Sequence, residues 1–180
     1  MRHAFVSFVV LIALATAPTT ARAQLLGIDG MMATVLQEGQ SSFSGLGFRA
    51  RVHPTALIPQ IEILPTFEFW RNSSSVQPFG IEATRKDATL AVDLRYVLPA
   101  AGWEPYFGTG FGLHFLSNKV NAPGLGLNDL SDSAVKGGLA LLAGASFGLT
   151  ERVDNFLELK YHHVSGYRQL KINWGLAYNL

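Results

Sequence analysis

A period-two alternation of apolar and polar residues constrains the fold of this chain more than any other feature. In the last segment, residues 169–180, every second residue from Leu170 to Leu180 is hydrophobic, while Lys171 and Asn173 occupy alternate positions. Successive side chains of a β-strand point to opposite faces, so this pattern predicts a strand with one apolar and one polar face.

The same alternation recurs in seven further segments, which predicts eight strands of roughly ten residues each. These segments are residues 25–37, 45–53, 60–69, 87–96, 107–115, 136–148 and 157–162. The first is the least regular, because Asp29 and two Met residues obscure its faces. We predict an all-β chain that forms an eight-stranded antiparallel up-and-down barrel.

The connections between these strands alternate in length. Residues 54–57, 99–102 and 150–155 are short connections, whereas 38–42, 71–80 and 118–131 are longer and polar or Gly-rich. Tight turns at one end and larger loops at the other are typical of barrels that cross a membrane. The last connection, residues 166–168, is an exception because it is short where a long loop is expected.

The N-terminus has the pattern of an export signal. Arg2 and His3 give a positive start, residues 5–17 are apolar, and Ala21 and Ala23 form a small-residue cleavage pattern. The apolar stretch is shorter than the ~20 residues of a spanning helix. We therefore predict a signal peptide at residues 1–23, cleaved after Ala23, and a barrel domain at residues 24–180.

The composition excludes several other classes of protein. The 14 Lys and Arg residues nearly balance the 13 Asp and Glu residues, which argues against nucleic acid as a partner. The chain has no Cys, which removes disulfides, thiolate metal sites and Cys nucleophiles. No second long apolar run is present, so a membrane protein built from residues 24–180 must cross with strands.

The volume inside the barrel decides which face points inward. Eight strands leave an interior just wide enough for side chains to fill. The apolar face carries mostly bulky residues, whereas the polar face combines long charged residues with Gly, as at Gly108, Gly110 and Gly112. We therefore place the polar face inside and the apolar face toward lipid. A soluble exported barrel, with the two faces reversed, is the alternative.

The charges of the polar face are nearly balanced, as a closed interior requires. The cations are Arg49, Arg51, Arg95, Lys136, Lys160 and Lys171, and the carboxylates are Glu62, Glu68, Asp87, Asp93 and Glu158. Pairing among them predicts a plugged interior rather than an open channel.

Aromatic residues lie near several predicted strand ends, where amphipathic rings favour the boundary between membrane and water. These residues are Phe69, Trp70, Trp103, Tyr106, Phe115, Phe156, Trp174 and Tyr178.

The final residues carry a terminal assembly pattern of polar-x-Gly-x-x-aromatic-x-hydrophobic form, made by Asn173, Gly175, Tyr178 and Leu180. This pattern resembles the terminal assembly signal of outer-membrane proteins, although the usual last residue is Phe. Residues 24–180 as a whole resemble the small OmpA/OmpX-type outer-membrane β-barrel superfamily. Residues 105–112 and 157–161 are typical of it.

The resemblance implies the outer membrane of a Gram-negative bacterium as the location. It implies outer-membrane lipid and lipopolysaccharide as contacts, and the barrel-assembly machinery as a partner during insertion. We expect a monomer with a structural or surface-interaction role, carried by the outer loops. A narrow, porin-like pore is a further alternative.

An enzymatic alternative rests on His163 and Ser165, which share one face of the seventh predicted strand. A His-x-Ser pair on the outside of a small barrel resembles the outer-membrane lipid A deacylases. That resemblance implies Ser165 as nucleophile and His163 as base. Three features depart from it: Gly166 follows the Ser where the family has Asn, residues 169–180 contain no acid, and the adjoining loop is short.

The sequence predicts neither a metal site nor a cofactor. His162 and His163 are adjacent in the chain and therefore point to opposite faces of a strand. The glycines recur at alternate positions within strands, which does not match a phosphate-binding loop.

Overall fold

The computed structural model describes residues 23–39, 41–76, 81–122 and 127–180, and these form a closed antiparallel barrel. The strands are β1 (Ala23–Gln37), β2 (Phe43–Pro54), β3 (Ile61–Val76), β4 (Ile81–Val97), β5 (Glu104–Ala122), β6 (Leu127–Gly148), β7 (Val153–Val164) and β8 (Tyr167–Asn179). Each strand pairs with its neighbours in sequence, and β1 pairs with β8. The predicted eight-stranded up-and-down barrel is confirmed.

The predicted signal peptide lies outside the described residues, apart from Ala23 at the start of β1. Within the described ranges, no helix has the length and apolar character needed to cross a membrane.

The seam between β1 and β8 closes the barrel and places both ends of the described chain at one end of it. The register runs from Gly27 opposite Asn179 to Gln37 opposite Gln169. We call this end the inner end. The opposite end, where the longest hairpins project, is the outer end, following the usual arrangement of short periplasmic turns and long extracellular connections.

Two predicted loops are largely strand, which corrects the sequence-based boundaries. Most of 71–80 and of 118–131 continues the hairpins, which pair out to Val76 opposite Ile81 and to Ala122 opposite Leu127. These segments lie beyond the apolar belt and are largely polar or Gly-rich, so their composition resembles that of a loop. The barrel wall is consequently tall along β3–β6 and low elsewhere.

The connection between β7 and β8 is shorter than predicted. It consists of Ser165 and Gly166, and Arg168 already belongs to β8. Gly166 has a φ of 95°, a conformation that tight two-residue turns require and that Gly adopts without steric cost.

The apolar face points outward, as predicted. The outward side chains form an apolar belt; examples are Leu46 (61% exposed), Phe111 (52%), Leu141 (64%) and Leu159 (51%). The irregular first strand follows the same rule: Asp29 points inward and is fully buried, while Met32 points outward. A large exposed apolar surface around a charged interior is typical of a barrel that lies in lipid.

Three of the aromatic residues predicted at the membrane boundary lie inside the barrel instead. Trp70, Tyr106 and Phe156 are 2%, 3% and 1% exposed. All three occupy inward positions of the alternation, and this position, rather than their closeness to a strand end, decides which face they lie on. Trp103 and Tyr178 remain on the outside, at 46% and 44% exposure.

Inward glycines make room for these rings. A Cβ on Gly144 would lie 2.7 Å from the Tyr106 ring and 2.5 Å from the Leu157 carbonyl oxygen. A Cβ on Gly175 would lie 2.6 Å from the Phe156 ring. The small residues of the polar face therefore fit the space beside specific large neighbours.

We predict that Gly144→Ala destabilises the barrel by about 1–3 kcal/mol, the usual cost of overpacking a filled interior. Gly137→Ala is the matched control, because a Cβ there would meet only the Phe111 ring at an ordinary 3.5 Å. Denaturant unfolding of the detergent-solubilised protein measures both. Equal stability of the two variants would contradict the assigned packing.

Candidate functional site in the barrel interior

The inner third of the barrel interior is organised around Arg49. Its Nε donates to Asp29 Oδ2 at 2.7 Å, and its Nη1 donates to Glu158 Oε2 at 2.7 Å. Arg51 Nε donates to the other oxygen of Asp29 at 2.9 Å. Alternation along β1, β2 and β7 brings these side chains to the centre, and one guanidinium thereby joins a carboxylate of the adjacent strand β1 to a carboxylate of β7.

Neutral donors complete the coordination of Glu158. The Tyr106 hydroxyl donates to Oε2 at 3.2 Å and the Asn173 amide donates to Oε1 at 2.9 Å. Nearby, Arg95 Nη2 contacts Glu62 Oε2 at 2.7 Å. The charged groups thus have hydrogen-bonding partners as well as counter-charges, which a buried ion pair needs.

The middle of the interior is bridged by two lysines and two acids. Lys160 Nζ donates to Asp93 Oδ2 at 2.6 Å and to Glu68 Oε1 at 3.1 Å. Lys171 Nζ donates to the second oxygen of Glu68. Glu68 on β3 therefore links β7 and β8 from across the barrel.

The outer part of the interior contains a histidine pair that the sequence argument did not recognise. His114 Nδ1 lies 2.9 Å from Asp87 Oδ2 and 2.9 Å from Thr89 Oγ1. His162 Nδ1 lies 3.4 Å from His114 Nε2. Both histidines occupy inward positions, so strand alternation could have placed them inside, but only the barrel register brings them together.

The described histidines and carboxylates do not build a metal centre. In the parts of the chain that the structure describes, no three His, Cys, Asp or Glu residues are grouped so as to hold a metal ion.

The interior charges match one another closely. The buried cations are Arg49, Arg51, Arg95, Lys160 and Lys171, and the buried acids are Asp29, Glu62, Glu68, Asp87, Asp93 and Glu158. Each of these acids contacts a cation, except Asp87, which contacts His114. Asp29, which the sequence prediction left out, belongs to this set, whereas Lys136 lies on the inward face as predicted but is not among the buried cations. Lys136 is half-buried, with its Nζ 5.6 Å from the centre of the Tyr167 ring.

Little free space is found beside this network, whereas the outer mouth is open. A cavity of about 10 Å³ next to Glu68, Trp70 and Lys171 has room for roughly one water. At the outer end, a cleft of about 460 Å³ is lined by polar residues that include Arg85 and Asn118. The described interior is therefore filled toward the inner end and opens into a polar cleft at the outer end.

The structure does not assemble the hydrolase arrangement suggested for His163 and Ser165. His163 points outward from β7 and lies opposite Arg168, a cation rather than an orienting acid. Ser165 lies in the two-residue turn, where its backbone N–H donates to Gly137 O at 3.3 Å. Among the described residues no hydrogen bond joins the two side chains, and the catalytic assignment stays a prediction that this geometry does not support.

The residues of the terminal assembly pattern divide between the two faces of β8. Asn173 and Gly175 point inward, toward Glu158 and Phe156. Tyr178 and Leu180 are exposed on the outside, at 44% and 71%. Their role in assembly stays a prediction, but the two inward residues also have a packing role.

We predict that Glu68→Gln destabilises the protein by about 3–5 kcal/mol, because it leaves two buried lysines without their shared acid. The double variant Glu68→Gln with Lys171→Met removes one of those lysines and should recover part of the loss. Glu104→Gln, at an exposed acid, is the control and should change stability by less than about 0.5 kcal/mol. Equal loss at Glu68 and Glu104 in denaturant unfolding would contradict the network.

Comparison with known proteins finds similarity in structure only. No protein-family model and no curated protein sequence matches this chain. Among solved structures, Neisserial surface protein A aligns over 88% of this chain and 99% of its own, with 18% identity and a TM-score of 0.59. Ail of Yersinia pestis aligns over 88% and 98%, with 15% identity and a TM-score of 0.60.

A major outer membrane protein of Thermus thermophilus aligns over 87% of this chain and all of its own, with 13% identity and a TM-score of 0.62. Identities this low establish the fold and nothing finer. Together with the outward apolar belt and the paired interior, they confirm the expected resemblance at the level of fold and support the predicted outer-membrane location. The chain has the fold of the small outer-membrane β-barrels.

Proposed function

We propose that this protein is a non-enzymatic, monomeric outer-membrane barrel with a structural and surface-interaction role. Its interior is closed to solutes, and its outer hairpins contact external partners and the surrounding lipopolysaccharide. The observation that carries the proposal is the buried network from Arg49 to Lys171, in which ion pairs between non-adjacent strands bridge the interior.

A plug of this kind is incompatible with efficient ion passage. A permeating ion would have to displace Lys160 from Asp93 or Lys171 from Glu68, and each displacement leaves a buried charge without its partner. Such a step costs several kcal/mol, whereas conduction requires sites that ions enter and leave readily. The pairing also cross-links strands that are distant in sequence, which supports a structural role.

The interaction role is supported by the tall wall of β3–β6. Its two hairpins extend beyond the apolar belt and border the outer cleft. A barrel of this fold can carry a ligand, since Ail of Yersinia pestis was solved in complex with the heparin analogue sucrose octasulfate. Loops and strand ends differ among such barrels, so the partner of this chain depends on its own outer residues.

Single-channel recording in a planar bilayer tests the closed interior. We expect no discrete conductance steps from the wild-type protein, and openings from the double variant Glu68→Ala with Lys171→Ala, which removes one bridge. Glu151→Ala with Arg152→Ala removes the same two charges from exposed positions at the inner end and should stay silent. Regular conductance steps from the folded wild-type barrel would overturn the proposal.

Mass spectrometry of lipid A from expressing cells tests the non-enzymatic part. We expect the same acylation pattern with the wild-type protein and with Ser165→Ala, because among the described residues no acid orients His163 and no hydrogen bond joins it to Ser165. Loss of one acyl chain that depends on Ser165 would replace the proposed role with lipid A hydrolysis.

A further inference from the structure

Two cations lie side by side on the outer wall, just beyond the apolar belt. Arg71 on β3 and Lys86 on β4 are direct cross-strand partners, and both are exposed. Strand alternation places them on the outward face together with Phe69 and Ala88, the paired residues one step nearer the inner end. Like charges directly opposite each other destabilise a sheet, so this pairing needs a compensating interaction.

The described protein does not supply that compensation. Neither Arg71 nor Lys86 has a hydrogen bond or ion pair within the described chain. The residues directly in line with Lys86 on the next two strands are uncharged, with Ser117 opposite Lys86 and Ser133 opposite Ser117. On β4 itself, the nearest outward acid to Lys86 is Glu82, which lies four residues further toward the outer end.

The height of the pair along the wall indicates what could neutralise it. Residues 61–69 of β3 supply the outward apolar positions from Ile61 to Phe69, and nine residues is the length of a membrane-crossing strand. Arg71 is the next outward residue beyond this segment. The two cations therefore lie where the hydrocarbon region ends and the headgroups of the outer leaflet begin.

We propose that Arg71 and Lys86 form a binding site for a phosphate group of an outer-leaflet glycolipid of the lipid A type. One phosphate between the two strands would accept paired hydrogen bonds from the guanidinium and a third from the ammonium. It would turn the repulsion between the cations into a bridge across β3 and β4. This inference rests on the proposed outer-membrane placement and names a contact within it.

Lipid binding by the purified full-length protein tests the site. Native mass spectrometry is used to titrate diphosphoryl lipid A into detergent micelles that contain wild type or Arg71→Gln with Lys86→Gln. We expect about 30-fold weaker binding by the double variant. Each cation near a membrane surface contributes about 1 kcal/mol to binding, and a tenfold change in affinity corresponds to about 1.4 kcal/mol. Arg152→Gln removes an exposed cation at the inner end and should bind like wild type.

Three outcomes would overturn the assignment. The first is binding by the double variant within about twofold of wild type. The second is equally tight binding of dephosphorylated lipid A, and the third is displacement of lipid A by millimolar inorganic phosphate, which would indicate a site for free anions.

Thermal unfolding gives a second readout that loss of folding cannot imitate. In a neutral detergent without lipid A, the double variant should unfold at or above the wild-type temperature, because it removes a repulsive pair. With lipid A present, the wild type should gain stability and the double variant should gain little. A lower unfolding temperature for the double variant in neutral detergent alone would contradict the repulsion. Conductance tests the closed interior separately, so either proposal can fail without the other.

Discussion

A charge in the filled part of an eight-stranded barrel must be neutralised there, because side chains occupy that space and bulk water does not. The rest of this structure follows from that constraint. Arg49 lies between Asp29 and Glu158, and Glu68 lies between Lys160 and Lys171. These bridges span the interior, and glycines beside Tyr106 and Phe156 leave the space that the remaining large side chains occupy.

The same constraint separates the places where function can reside. The buried acids and cations of the described interior pair with one another, and the outward belt is apolar and matches lipid. The proposed recognition takes place at the outer end, where β3–β6 continue beyond the belt as paired strands. Arg71 and Lys86 lie at the junction of these two zones, which gives the pair access to lipid headgroups.

Most of the fold could be predicted from the sequence because strand alternation is a local property. It predicted eight strands and the face that points inward, and His114 and His162 occupy inward positions of that pattern, although their contact depends on the barrel register. The extent of β5 and β6 could not be predicted, because the outer parts of these strands lie beyond the apolar belt, lack its regular alternation and therefore resemble loops. Ion-pair partners such as Glu68 and Lys171 are 103 positions apart in the chain, and only closure of the barrel brings them together.

The whole arrangement depends on an apolar outer face that lies in lipid and on charges that are enclosed. Spin labels at single cysteines test this directly, since the chain has no native Cys. Val92→Cys, Leu90→Cys and Lys86→Cys follow the outward face of β4 toward the outer end. In reconstituted membranes, we predict that the labels at residues 90 and 92 collide often with oxygen and rarely with a water-soluble nickel complex. The label at residue 86 should collide often with the nickel complex and less with oxygen. Nickel accessibility at all three positions would contradict the account.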